Sequence, residues 1–124
     1  MRPRTATLTE QELEIMKIVW RLGTPTVRDV YEALRERRQI AYTTVMTMMN
    51  ILEQKKHLKK TAGERAFVYR PARPQGQVIR AMVREFVDRV FNGSAAPLLV
   101  HLVEDRRVSA AEVENLRRRI GKKP

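Results

Sequence analysis

Apolar residues recur at helical spacing through three segments in the first half of the chain. Leu13, Met16 and Trp20 form one line and Ile15, Val19 and Leu22 a second, together a broad stripe at about 100° per residue. Thr9 and Glu12 have the S/T-x-x-E form of a capping box, and Leu8 and Leu13 stand where a hydrophobic staple would. A first helix is therefore expected from Glu10 to about Leu22, stopped by Gly23. Thr26 and Asp29 begin a second, carried by Val27, Val30, Tyr31 and Leu34. The short Gln39-Ile40-Ala41 connection suits a helix-turn-helix corner. In the helix after it, Val45, Met48, Met49 and Leu52 share one face, while Thr43, Thr47, Asn50 and Gln54 fall on the opposite side.

The pattern then changes. Leu58–Tyr69 reads as two short strands around Ala62-Gly63-Glu64-Arg65, with Phe67, Val68 and Tyr69 as strong β-formers before Pro71. After a linker at Pro71–Pro74, helical spacing returns over Gln77–Phe91 through Ile79, Met82, Val83, Phe86, Val87 and Val90. Asn92-Gly93 is expected to stop that helix and Ser94 to cap the next, with Pro97 tolerated in its first turn. A capping box at Ser109 and Glu112 opens the last helix, which carries Val113, Leu116 and Ile120. The expected fold is mostly α with a small β-hairpin. Residues 1–74 form an N-terminal winged helix-turn-helix, a DNA-binding domain, and residues 75–124 a C-terminal three-helix dimerisation domain.

Three helices in so short a segment carry more apolar surface than they can bury by themselves. A second copy of the chain is the natural cover, through Ile79, Met82, Val83, Phe86, Val90, Phe91, Leu98, Leu99, Leu102, Val113 and Leu116. The alternative is that these helices fold back on the first domain within one monomer.

Charge narrows the partner. Of 124 residues, 25 are Lys or Arg and 14 are Asp or Glu, a net charge of +11, which calls for nucleic acid or an acidic membrane surface. From Lys55 to Arg73 the basic residues are Lys55, Lys56, Lys59, Lys60, Arg65, Arg70 and Arg73, against one acid, Glu64. Alone, a Thr/Asn/Gln stripe also describes plain solvated surface. Followed by a basic hairpin, it reads as a recognition helix and its wing. Thr43, Thr47, Asn50 and Gln54 would then address base edges in a major groove. Lys55, Lys59 and Lys60 would neutralise phosphates, and Arg65 at the hairpin tip would reach an adjacent minor groove. Arg28, Arg35, Arg37 and Arg38 suit either solvent or phosphate.

The chain has no cysteine, which removes disulfides, thiolate metal sites and cysteine catalysis. His57 and His101 form no metal-ligand spacing and read as a loop histidine and a helix-face histidine. No glycine-rich phosphate loop or nucleophile elbow occurs, so no enzyme, cofactor or metal is expected. No apolar run approaches the roughly 18–20 residues that cross a bilayer, and Met1-Arg2-Pro3-Arg4 leads into polar Thr5-Ala6-Thr7. A cytoplasmic protein without membrane insertion is expected. Two other readings use the same residues: a non-specific nucleoid or nucleic-acid-binding protein, and a helical adaptor engaging another protein through residues 75–124.

The order Leu-Thr-x-x-Glu-x-x-Ile-Met-x-x-Val-Trp at 8–20, Thr-Val-x-Thr at 44–47, Phe-Val-Tyr-x-Pro at 67–71, Phe-x-Gly-Ser at 91–94 and Val-Ser-x-x-Glu-Val-x-x-Leu at 108–116 resembles the BlaI/MecI (penicillinase repressor) family of winged-helix regulators. The resemblance implies a homodimeric bacterial repressor bound over a promoter at a pseudo-palindromic double-stranded DNA operator. It adds Thr44 to the DNA-contacting residues. It also implies relief by proteolysis in the dimerising part, triggered by a membrane-bound sensor protease. The chain departs from the family pattern in three places. Ile51-Leu52 replaces Arg-Leu in the recognition helix, His57 replaces a glycine, and His101-Leu102 stands where staphylococcal members carry the cleaved Asn-Phe pair. The Cys-x-Cys tail of copper-responsive relatives has no counterpart.

Overall fold

In the computed structural model, residues 8–121 are described; the reading of Met1–Thr7 lies outside them. The elements run α1 (Glu10–Leu22), α2 (Val27–Arg35), α3 (Tyr42–Gln54), β1 (Leu58–Ala62), β2 (Phe67–Pro71), α4 (Gln75–Phe91), α5 (Ala96–Glu104) and α6 (Ala110–Gly121). The chain divides into two compact units, the first ending at Met82 and the second starting at Val83.

Local hydrogen bonding sets the helix starts in the first unit. Thr9 Oγ1 accepts from the Glu12 N–H at 3.1 Å, and Glu12 Oε1 accepts from the Thr9 N–H at 3.0 Å. Thr26 and Asp29 repeat this at 3.1 and 3.0 Å, so α2 also begins with a complete box. Two donors at each helix start are thereby satisfied without tertiary help.

The core gathers Leu8, Ile15, Met16, Ile18 and Val19 with Val27, Val30 and Leu34, Val45, Met49 and Leu52, and Leu58 and Tyr69 of the hairpin. Leu22, expected on the stripe of α1, is exposed, and Ile18 fills the core in its place. Val78 is buried in the same core and Met82 packs against it. The first turns of α4 therefore belong to the N-terminal unit. Pro74 contributes the carbonyl that accepts from the Gln77 and Val78 N–H groups at 3.1 and 3.2 Å, which lets α4 start two residues before the expected Gln77.

Glu12 is buried and its Oε1 meets the Lys55 ammonium at 2.7 Å, joining the start of α1 to the end of α3. Burial alone would raise the Glu12 pKa. The hydrogen bonds from Lys55 and the Thr9 N–H, with the Lys55 charge, prevail and hold it below the ordinary glutamate value. Stability from this group is then complete above the unfolded-chain value of about 4.3. It is lost as pH falls from there through the lowered native value. Thermal melts from pH 7 to pH 3 should show a smaller acid-induced loss of stability in Glu12→Gln than in the wild type. Equal losses would show that the ion pair contributes nothing.

In the second unit, the Gly93 N–H donates to the Val87 carbonyl at 3.1 Å while Asn92 and Gly93 take positive φ, which stops α4 as the Asn-Gly pair predicts. Ser94 does not cap α5. Its N–H closes back onto Phe91 at 3.0 Å, and Ala95 precedes the first turn without a side-chain cap. Ser109 and Glu112 do form their box at 2.9 and 3.0 Å. Phe91 meets Phe86 and His101 at ring distances of 5.9 and 5.8 Å. Among the described residues of this unit, Val87 alone of the large apolar side chains is buried. No helix of the described residues is long and apolar enough to cross a membrane.

Candidate nucleic-acid interface

Helical period decides what α3 shows. Val45, Met49 and Leu52 are completely buried and Met48 packs at the core edge. Thr43, Thr44, Thr47 and Gln54 are exposed. Asn50 is half-buried, and the Tyr69 hydroxyl donates to its Oδ1 at 3.2 Å. Lys55 lies at the end of this helix with its ammonium on Glu12, so that charge serves the fold. The helix ends with Lys56 at φ 68°, and the His57 N–H donates to the Leu52 carbonyl at 2.9 Å. Lysine thus holds a left-handed conformation that glycine adopts more easily. The His57 side chain, expected in a loop, is buried.

The hairpin's period of two sorts its cations. Lys60 pairs across the ladder with Tyr69, and Lys59 with Arg70. Leu58, Lys60, Tyr69 and Phe67 therefore share the face whose base is the buried Leu58 and Tyr69, and Lys59 and Arg70 share the other. The Tyr69 N–H donates to the Pro25 carbonyl at 2.8 Å, tying β2 to the entry of α2. At the tip, the Gly63 N–H donates to the Ala66 carbonyl at 2.9 Å, and a Cβ on Gly63 would lie 2.5 Å from that same oxygen. Only glycine closes this turn without displacing the backbone.

Between α3 and the hairpin lies an open groove of about 830 Å³. Arg28, Lys60 and Arg65 supply its cations, and Tyr42, Met46 and Phe67 its apolar surface. Phe67 is 56% exposed, with the Lys60 ammonium 4.7 Å from its ring centre. Lys60 also approaches Glu53 at 3.8 Å, and Arg28 combines a 3.1 Å pair to Glu32 with a position over the Tyr42 ring. Of the other arginines of α2 and its exit, Arg38 binds Glu14 at 2.9 Å and Arg35 lies over Tyr31. The structure thus brings Asn50, Lys60 and Arg65 together around the groove, while Thr43, Thr44, Thr47 and Gln54 are exposed on α3 outside its lining. Lys55 and Lys59 point elsewhere. Tyr42, Met46, Phe67 and Tyr69 were missed as site residues. Alternation of Phe67 and Tyr69 with the exposed Arg70 is the signal that would have placed them beside Lys60.

An exposed polar helix face beside a cationic groove can hydrogen-bond base edges while its flanks neutralise phosphates. Residues 8–122 match the family model described as Penicillinase repressor. The transcriptional regulator BlaI of Mycobacterium tuberculosis is 38% identical over 113 residues, covering 90% of this chain and 80% of that protein. The penicillinase repressor of Bacillus licheniformis is 26% identical over 109 residues, covering 88% and 85%. Among solved structures, the monomeric form of B. licheniformis BlaI in complex with the blaP half-operator superposes with a TM-score of 0.51 at 27% identity, over 56% of this chain and 85% of that one. Those relatives are transcriptional repressors, not enzymes. Matched along nearly its whole length and carrying the same winged helix, the chain belongs to the penicillinase repressor family.

Proposed function

We propose that the chain is a homodimeric transcriptional repressor that reads a pseudo-palindromic operator with α3 and grips the flanking backbone with its wing. The observation that carries this reading is the solvent-facing row Thr43, Thr44, Thr47 and Gln54 on a helix whose opposite face is locked into the core. Thr44, Thr47 and Asn50 contact bases or the phosphates beside them. Lys60 and Arg65 hold the backbone that passes through the groove, with Arg28 beside them. Lys59 stands on the outer hairpin face and contributes only long-range charge.

Two-fold pairing through the second unit supplies the symmetry. Val83, Phe86, Val90, Leu99, Val100, Val103, Leu116 and Ile120 leave large apolar areas exposed on all three helices of a single chain. A second copy covers them and sets two recognition helices about one helical turn of DNA apart. Relief by proteolysis belongs to the same reading. A cut at His101–Leu102, the pair that stands in place of the cleaved Asn-Phe of staphylococcal members, would divide α5 and sever α6 from the helices before it. The zinc-protease sensor that would trigger it is sought beside the gene.

Selection from random duplexes tests the reading. A symmetric motif supports it, whereas uniform recovery supports non-specific packaging. Thr47→Ala should weaken discrimination at one base pair in each half-site by about 1–3 kcal/mol, measured by titrating operator variants. An unchanged preference would remove Thr47 from the reading surface.

A further inference from the structure

Asn50 is the residue of the α3 polar row whose side chain is tied to the wing. Tyr69 is 3% exposed, its ring sits in the core, and its backbone N–H is fixed to the Pro25 carbonyl at 2.8 Å. The hydroxyl thus has little freedom, and it donates to Asn50 Oδ1 at 3.2 Å. Both residues line the groove that Lys60, Arg65 and Phe67 also line.

A carboxamide is an ambiguous reader. Free to rotate, it offers a donor and an acceptor side by side, the pair that matches adenine, or turns over to present either end. We propose that Tyr69 is a positioning residue for base recognition, turning the Asn50 oxygen toward the wing and its N–H protons toward the DNA. The proposal rests on the reading of α3 as the base-reading helix. Asn50 then enters the major groove as a donor and favours guanine, through O6, or thymine, through O4, over adenine, which presents the N6 amino donor at the corresponding edge. Burial pushes the Tyr69 hydroxyl pKa up, and Glu53 and Tyr42 add to the shift, so the proton needed for donation stays in place at neutral pH. This hydrogen bond adds a polar link between hairpin and recognition helix, through which the wing strand that carries Tyr69 sets what Asn50 can read.

The test measures affinity of the full-length protein for duplexes carrying each of the four bases at every operator position, at two salt concentrations, for wild type, Tyr69→Phe, Asn50→Ala and Asn50→Asp. Wild type should prefer guanine or thymine at one position per half-site. Tyr69→Phe keeps the ring and should lose about 2- to 10-fold of discrimination at that position alone, with the salt slope and melting temperature nearly unchanged. Asn50→Ala should lose the same preference. Asn50→Asp keeps the acceptor for Tyr69 but lacks the donors, and should fail at that position too. A Tyr69→Phe profile identical to a selective wild type overturns the role of Tyr69 and leaves α3 as the reader. Equal loss at all positions with a lowered melting temperature also overturns it, because it marks a purely structural hydroxyl. Wild type without preference at any position overturns the reading of α3 together with the proposal.

Discussion

Val90→Asp combined with Leu99→Asp should yield a folded monomer that has lost on the order of 10²–10⁴-fold in affinity for a two-half-site operator. Val90 is 48% exposed and Leu99 46% exposed in the single chain, so neither supports its own unit much, and carboxylates there should leave the helical circular dichroism almost intact. Their cost falls on pairing. Two charges per copy, four per dimer, would be desolvated in an apolar interface without partners. Binding to a single half-site should change little, because the groove and α3 lie in the first unit. Sedimentation and fluorescence anisotropy on one- and two-half-site duplexes separate these effects. A variant that remains dimeric would show that these side chains lie outside the interface. One that unfolds would show that they belong to a core within the monomer.

The sequence was most legible where the physics is local. The boxes at Thr9–Glu12, Thr26–Asp29 and Ser109–Glu112 span three residues each and formed as expected. The period of 3.6 separated the buried Val45, Met49 and Leu52 from the exposed Thr43, Thr47 and Gln54. Partners distant in the chain were not legible. Lys55 reads as one more phosphate ligand in the sequence, whereas Glu12, 43 positions earlier, holds its ammonium in the fold. Asn50 reads as fully outward, whereas Tyr69, 19 positions later, sits on its oxygen. Ser94 misled because α5 starts at Ala96, which makes Ala95 the N-cap and leaves the Ser94 hydroxyl one residue too early to cap it. The boundary expected at the prolines also shifted. Val78 and Met82 fit the first core, so the two units part at Met82 and Val83, inside α4.

Hairpin register yields the second large effect. Lys60→Ala combined with Arg65→Ala should lower operator affinity on the order of a hundredfold at physiological salt and reduce the slope of log K against log salt by about one unit for each phosphate that is no longer neutralised. Lys60 leans over Phe67 into the groove, and Arg65 lines the same groove from the tip. Removing Lys60 also leaves Glu53, 3.8 Å from the ammonium, as an uncompensated acid close to the DNA backbone, which deepens the loss. Lys59→Ala removes the same charge from the opposite face, beside Arg70, and should cost severalfold less. The three variants carry little risk to the fold, because all three side chains are exposed. Titrations with operator and with unrelated duplex should fall in parallel for Lys60→Ala and Arg65→Ala, since phosphates carry no sequence. If Lys59→Ala weakened binding as much as Lys60→Ala, the charge of the hairpin as a whole, and not the groove face, would govern its grip on DNA.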